Sequence, residues 1–179
     1  MASMKSWGSW LILGAGSIGI GFGTVIMTDT LRLDPCHLCI FQRLLMLIFG
    51  GLAIGAGLSA RNRPTSLALG TLALLTAVGG AATAIYQSWI QLQPTGAISC
   101  VGAQPGTIEI FVEWLGELAP SLFLATGFCE DDAFKLLGLS LANWSLVSFC
   151  LLAVATAWTI RQSLRPTTGR STSIEHSRA

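Results

Sequence analysis

Four stretches of this chain contain no charged residue: 6–28, 44–60, 64–108 and 136–160. A further uncharged run, 35–42, is separated from the second by a single arginine, Arg43. An α-helix needs about 20 predominantly apolar residues to cross the hydrocarbon core of a bilayer. The stretches therefore predict transmembrane helices at about 10–27, 38–58, 67–89 and 144–160. Charged residues make up 11% of the 179 residues, against about 25% in a soluble domain. So few charges cannot clothe a water-facing surface. The first stretch has a basic flank in Lys5, but its apolar run exceeds the core of a signal peptide and no A-x-A site follows it, so it reads as a retained span.

The fold class implied is all-α, a four-helix transmembrane bundle with a long outer loop that carries a short amphipathic interfacial helix. The membrane domain covers 1–162, with outer loops at about 29–37 and 90–143. The tail at 163–179 is rich in Ser, Thr and Arg and reads as disordered. An even number of spans puts both termini on one side, and basic residues decide which side that is. The terminal side holds Lys5, Arg61, Arg63, Arg161, Arg165, Arg170 and Arg178 against the single acid Glu175. The opposite side holds Arg32, Arg43 and Lys135 against Asp29, Asp34, Glu109, Glu113, Glu117, Glu130, Asp131 and Asp132. Both termini are therefore expected in the cytoplasm. The net charge of +1 hides this asymmetry and gives no reason to expect nucleic acid as a partner.

The long outer segment opens with turn residues, Pro94, Gly96, Gly102 and Pro105–Gly106. Ile108, Phe111, Val112, Leu115 and Leu118 then recur at helical spacing, while Glu109, Glu113 and Glu117 line another face. This predicts an amphipathic helix over 107–118, lying on the outer bilayer surface or folded back over the bundle. Within the spans, Gly19–Gly23 and Gly51–Gly55 form small-xxx-small patterns that allow close helix approach.

Of five cysteines, four fall on the outer side. Cys36 and Cys39 form a C-x-x-C at the start of the second span; Cys100 and Cys129 lie in the long outer segment; Cys150 lies inside the fourth span, where a lone thiol behaves as a small hydrophobe. The four outer cysteines allow three pairings, of which spacing favours Cys36–Cys39 and Cys100–Cys129. Four thiols also suit zinc, but the second pair is too widely spaced for a zinc knuckle. Purely structural disulfides are the other plain reading. A C-x-x-C closes a very small loop and gains little chain entropy, which makes it a weak staple and a good redox device.

Pro35 precedes Cys36 and the apolar run begins at Leu38, so the motif sits at a helix N-terminus. Unpaired N–H groups and the helix dipole there favour a thiolate. Arg43 follows Cys39 by four residues and shares its helix face. A guanidinium so placed either stabilises a thiolate and donates to a carbonyl oxygen of a bound ligand, or snorkels to the headgroups. A charge between apolar flanks is expensive and favours the first role.

The run Pro35-Cys-His-Leu-Cys-Ile-Phe-Gln-Arg43 resembles the first outer loop of the DsbB family, the bacterial disulfide bond formation protein B family. Further matches follow in order: Gln91–Pro94 with Cys100 shortly after, Phe123-Leu-Ala-Thr-Gly-Phe-Cys129, and Leu137-Gly-Leu139 leading into Trp144. The resemblance covers about 10–160. It implies a four-helix membrane bundle in the bacterial inner membrane that oxidises a soluble DsbA-like thioredoxin-fold protein, with ubiquinone or menaquinone as acceptor. Carried over by position, Cys100 would form the mixed disulfide with the partner, Cys129 would exchange with Cys36, and Cys39 would face the quinone beside Arg43. Some family members carry a quinone-contacting His near the outer end of the third span. Here Gln87 is the match; it can hydrogen-bond a ring oxygen but cannot become cationic. Two other classes compete. A vitamin K epoxide reductase-like enzyme carries its quinone-facing C-x-x-C late in the core, not at the second span. A non-enzymatic, disulfide-stapled membrane scaffold would bind no quinone.

Overall fold

The computed structural model describes residues 2–32, 34–93, 106–123, 125, 127, 135–136 and 138–164. In chain order the elements are α1 (Ala2–Thr30), α2 (His37–Leu58), α3 (Arg63–Gln91), α4 (Thr107–Leu118), α5 (Pro120–Phe123), β1 (Lys135–Leu136), β2 (Leu139–Ser140) and α6 (Leu141–Leu164). Four of these helices, α1, α2, α3 and α6, are long and apolar enough to cross a membrane. Each exceeds the span predicted for it. The apolar run sets what crosses the hydrocarbon, but helical hydrogen bonding continues into the interface until something stops it. Between α2 and α3 the stop is the turn from Ser59, which caps α2, to Asn62, which precedes Arg63 and Pro64. α6 likewise runs on to Leu164, two residues into the predicted tail. The rest of that tail, with Cys100 and Cys129, lies outside the described residues.

The long helices form a ring: α1 packs on α2, α2 on α3, α3 on α6, and α6 on α1. Their shared core contains Trp10, Met46, Phe49, Ala53, Ala73 and Phe149. Ile12, Leu75, Leu151, Val154 and Trp158 face outward and are largely exposed, as lipid-facing residues must be. Arg63 Nη2 donates to the Ser163 carbonyl at 2.8 Å and joins α3 to α6 at the end remote from the C-x-x-C.

Close helix approach falls on different glycines from those the small-xxx-small patterns nominate. A Cβ on Gly14 would lie 2.9 Å from the Gly50 carbonyl oxygen, and one on Gly50 would lie 3.0 Å from the Gly14 oxygen. These two residues let α1 and α2 touch backbone to backbone. Around Gly19, Gly23 and Gly51 there is open space, and Gly55 is in ordinary contact with Leu69. Small residues recur on several faces of these helices, so spacing alone does not say which face turns inward.

The outer segment folds back onto the bundle. α4 packs on α2, with Val112 and Gly116 buried, while Ile110, Phe111, Trp114 and Leu118 stay exposed. It therefore takes the folded-back placement: one edge sits on the bundle and an apolar edge is left open. Glu109 Oε2 accepts from the Gly106 N–H at 2.9 Å and closes the first turn of α4. β1 and β2 form a small antiparallel pair turned at Gly138, whose φ of 82° suits a residue without Cβ. Ser140 Oγ donates to Gln91 Oε1 at 3.0 Å and Ser88 Oγ to Asn143 Oδ1 at 3.1 Å, fixing the start of α6 against the end of α3.

Overpacking at such a contact costs about 1–3 kcal/mol. Gly14→Leu and Gly50→Leu should each lower the Tm of the detergent-purified protein, whereas Gly51→Leu should leave it unchanged. Thermal unfolding followed by circular dichroism checks the difference.

Candidate functional site

Cys36 is the N-cap of α2, in extended conformation with φ −81° and ψ 165°. Its sulfur accepts from the Cys39 backbone N–H at 3.4 Å, satisfying one of the orphan donors of the first turn. The same turn brings Cys39 Sγ to 2.8 Å from Cys36 Sγ. Cys36 is buried, packed with Leu38 and Ile90, and Ile108 of α4 covers this small cluster. The C-x-x-C therefore sits at a helix N-terminus, and the outer helix α4 roofs it. His37, between the two cysteines, points away from them; its Nε2 lies 3.8 Å from Glu113 Oε1 of α4.

Among the described residues one side chain of α3 hydrogen-bonds both sulfurs. Gln87 Nε2 donates to Cys39 Sγ at 3.0 Å and to Cys36 Sγ at 3.4 Å. Its Oε1 accepts from Gln42 Nε2 at 2.8 Å. Gln42 was not singled out by the sequence reading. The available signal was an amide inside an apolar helix, beside Arg43.

Arg43 is 7% exposed, its side chain enclosed by the helices and not extended from the bundle surface. Its Nη2 donates to Thr28 Oγ1 at 3.2 Å and to the Thr24 carbonyl at 3.4 Å, both on the last turns of α1. Among the described residues no carboxylate lies within salt-bridge distance of it, and its buried Nε has no hydrogen-bond partner. Buried charges are ordinarily paired, and intramembrane charges face a bundle interior or a cavity.

Arg43 lines a cavity. A space of about 370 Å³ opens between α1, α2, α3 and α6, within the range of roughly 300–1,000 Å³ usual for small-molecule sites. Cys36, Cys39, Arg43 and both glutamines line it on one side. Ile20, Met27, Met46, Leu141 and Trp144 supply apolar wall, and Ser145 and Ser148 of α6 add hydroxyls. The connection between α1 and α2, with Arg32 and Asp34, forms part of the rim.

One contact joins the two outer segments beside the motif. The Gly127 N–H donates to the Pro35 carbonyl at 3.2 Å. Gly127 also sits so tightly on the Asp34 carbonyl that no Cβ fits there. The sequence gives Gly127 two positions before Cys129. Of the predicted site residues, then, Cys36, Cys39, Arg43 and Gln87 converge, and Cys100 and Cys129 lie outside the described residues. Cys150 is exposed on the outer face of α6, away from the cavity.

Over residues 6–159 the chain matches the family described as Disulfide bond formation protein DsbB. It is 40% identical over 146 residues to Disulfide bond formation protein B of Dechloromonas aromatica, covering 82% of this chain and 86% of that protein. Against Disulfide bond formation protein B 1 of Pseudomonas syringae pv. syringae the identity is 36% over 158 residues, covering 87% and 90%. Against Disulfide bond formation protein B of an Azoarcus species it is 36% over 126 residues, covering 70% and 75%.

The junction at Gly127 generates a test. Gly127→Ala must push the Asp34 peptide away, a strain of about 1–3 kcal/mol. In the reduced protein, alkylation of the buried Cys36 should then speed up by roughly tenfold, since about 1.4 kcal/mol of local opening is a factor of ten. Peptide mass spectrometry reads the rate, and a wild-type rate would mean that this contact does not hold the segment down.

Proposed function

The chain belongs to the DsbB family of disulfide bond formation proteins and is a multi-pass membrane protein, and from that premise we propose that it is a protein-dithiol:quinone oxidoreductase. It reoxidises a periplasmic DsbA-like thiol oxidase and passes the electrons to a membrane quinone, ubiquinone or menaquinone, in the bacterial inner membrane. The observation that carries the reading is the convergence of Cys39, Cys36 and a buried Arg43, with no carboxylate at salt-bridge distance among the described residues, on one cavity with apolar walls.

A quinone fits these residues. Its ring suits Met27, Met46 and Trp144, and its oxygens suit the orphaned Arg43 Nε. When bound, it supplies an acceptor for two electrons and two protons. The chain's own residues do the rest. Arg43 holds positive charge beside Cys39, Thr28 and Thr24 hold Arg43 in place, and Ile108 of α4 packs on the cluster that buries Cys36. Thiol–disulfide exchange proceeds by thiolate attack through a mixed disulfide, each exchange moving two electrons and breaking one S–S bond as another forms. In the proposed sequence the partner's thiolate attacks Cys100 of a Cys100–Cys129 disulfide. The released Cys129 attacks Cys36 of the Cys36–Cys39 disulfide and frees Cys39 at the cavity. The partner's second thiolate displaces Cys100, which re-forms its bond to Cys129 and frees Cys36, so the partner leaves oxidised and the Cys36–Cys39 pair holds the two electrons. The junction between Gly127 and Pro35 supports the middle step, because it ties Gly127, two positions before Cys129 in the sequence, to the residue before Cys36. The basic residues put both termini and the turn between α2 and α3 in the cytoplasm.

The order of electron flow is tested by replacing cysteines singly. Cys129→Ser removes the disulfide that the partner's thiolate attacks, so oxidation of the partner and quinone reduction should both stop. Cys39→Ser should abolish quinone reduction while exchange at Cys100 survives, and Cys150→Ser should do neither. Normal quinone reduction by the Cys39 variant would sink the relay. In reduced, intact spheroplasts a membrane-impermeant thiol reagent should label Cys100 and Cys129; labelling only after lysis would reverse the orientation.

Arg43→Ala tests the cavity. A hydrogen bond from a charged donor contributes about 1.5–3 kcal/mol, so the apparent quinone KM should rise by about tenfold or more while partner exchange at Cys100 continues. An unchanged KM would remove Arg43 from the binding site.

A further inference from the structure

Gln42 and Gln87 form a short chain of hydrogen bonds that ends on the two sulfurs. Gln42 Nε2 donates to Gln87 Oε1 at 2.8 Å, and Gln87 Nε2 reaches Cys39 Sγ at 3.0 Å and Cys36 Sγ at 3.4 Å. Both glutamines are almost fully buried, at 3% and 2% exposure. A primary amide has two donors at one end and an acceptor at the other, and the two ends have nearly the same shape. Packing alone therefore does not choose which end faces the sulfurs. Gln42 chooses: with its own donor against Oε1, the Gln87 N–H groups are left to face Cys36 and Cys39. Water has little access to this pair to substitute for either bond.

The direction of that amide matters to electron affinity. Sulfur in a disulfide is a weak acceptor, whereas a reduced, ionised sulfur is a strong one, and hydrogen bonds to ionised groups are about twice as strong as neutral ones. Donors aimed at the pair stabilise its reduced form over its disulfide, and a carbonyl oxygen aimed there would do the opposite. We propose that Gln42 is a positioning residue for the redox pair: by holding the Gln87 N–H groups toward Cys36 and Cys39, it makes their disulfide a better electron acceptor. This role presupposes that Cys36–Cys39 is the redox-active pair, as proposed above. The step concerned balances as follows. A dithiol reduces the Cys36–Cys39 disulfide by two electrons; one S–S bond breaks in the protein and one forms in the reductant. The protein is left with one thiol and one thiolate, and one proton is released.

The experiment equilibrates the full-length protein in detergent with dithiothreitol buffers. It then quantifies the Cys36–Cys39 disulfide by differential alkylation and peptide mass spectrometry. Gln87→Met should lower the equilibrium constant for reduction by about tenfold, which is about 30 mV for a two-electron couple. Gln42→Met should lower it in the same direction by a smaller factor, about threefold, because the amide is released and not removed. The double variant should be no lower than Gln87→Met alone, since Gln42 acts only through Gln87. A merely structural role would lower the Tm without moving this equilibrium. If Gln42→Met leaves the constant at its wild-type value, or if the two effects simply multiply, the positioning role is overturned. Should a methionine variant not fold, Gln42→Asn, whose shorter amide falls away from Gln87 Oε1, carries the same expectation as Gln42→Met. A wild-type pair that does not titrate between disulfide and dithiol at all would overturn the underlying redox reading instead.

Discussion

Arg43 is a cation buried near one end of a membrane-spanning helix with no carboxylate in reach among the described residues. Such a charge is costly in hydrocarbon surroundings, and it persists only where polar groups and a cavity receive it. Much of the outer half of the bundle follows from that need. The last turns of α1 present Thr28 and the Thr24 carbonyl to its guanidinium. The cavity opens where α1, α2, α3 and α6 diverge around it. Its Nε is left without a partner, so the site retains a donor for a ligand oxygen. A hydrophobic residue at the same position would pack more simply and leave nothing to hold a polar ligand head in an apolar cleft.

The remainder of the bundle is closely packed. Gly14 and Gly50 bring α1 and α2 together backbone to backbone, and Trp10, Phe49 and Phe149 fill the interior below. Inside a membrane no hydrophobic effect drives one helix onto another, so close packing and hydrogen bonds must do it. Both devices are present. Glycine contacts join α1 to α2, while side-chain bonds from Ser88, Ser140 and Arg63 join α3 to α6 at its two ends. Ser17, donating to the Met46 carbonyl at 2.8 Å, adds a bond between α1 and α2 next to the cavity wall.

The sequence made the four spans legible because a missing charge is visible residue by residue. It made α4 legible because acidic and apolar faces alternate there at helical period, and the predicted 107–118 is the observed Thr107–Leu118. Helix rotation was less legible. A transmembrane helix is apolar toward lipid and apolar toward its neighbours, so periodicity does not separate the two faces. That is why Gly19–Gly23 and Gly51–Gly55 stood out as packing motifs while Gly14 and Gly50 make the contact. The site divides in the same way. Cys36, Cys39 and Arg43 were readable because they are neighbours on one helix. The bond from Gln42 to Gln87 and the bond from Gly127 to Pro35 join residues far apart in the chain, and only the tertiary fold brings those together. Gln87 was read as a side chain able to hydrogen-bond a ring oxygen; it lines the cavity, and its amide also bonds the sulfurs and Gln42, which the sequence did not reveal.

The C-x-x-C owes its value to where α2 starts. Three residues of helix rise about 4.5 Å, and over that distance the surroundings change. Cys36, as the N-cap, adjoins Pro35, to which the outer segment is bonded through Gly127. Cys39, one turn further in, shares a helix face with Arg43 and lines the same cavity. The helix start therefore gives two neighbouring sulfurs different surroundings: Cys36 is buried against Leu38 and Ile90, and Cys39 is partly exposed. In the proposed relay the two ends of the pair meet different reactants, the outer thiols at Cys36 and the cavity at Cys39, and a single turn holds the two sulfurs 2.8 Å apart.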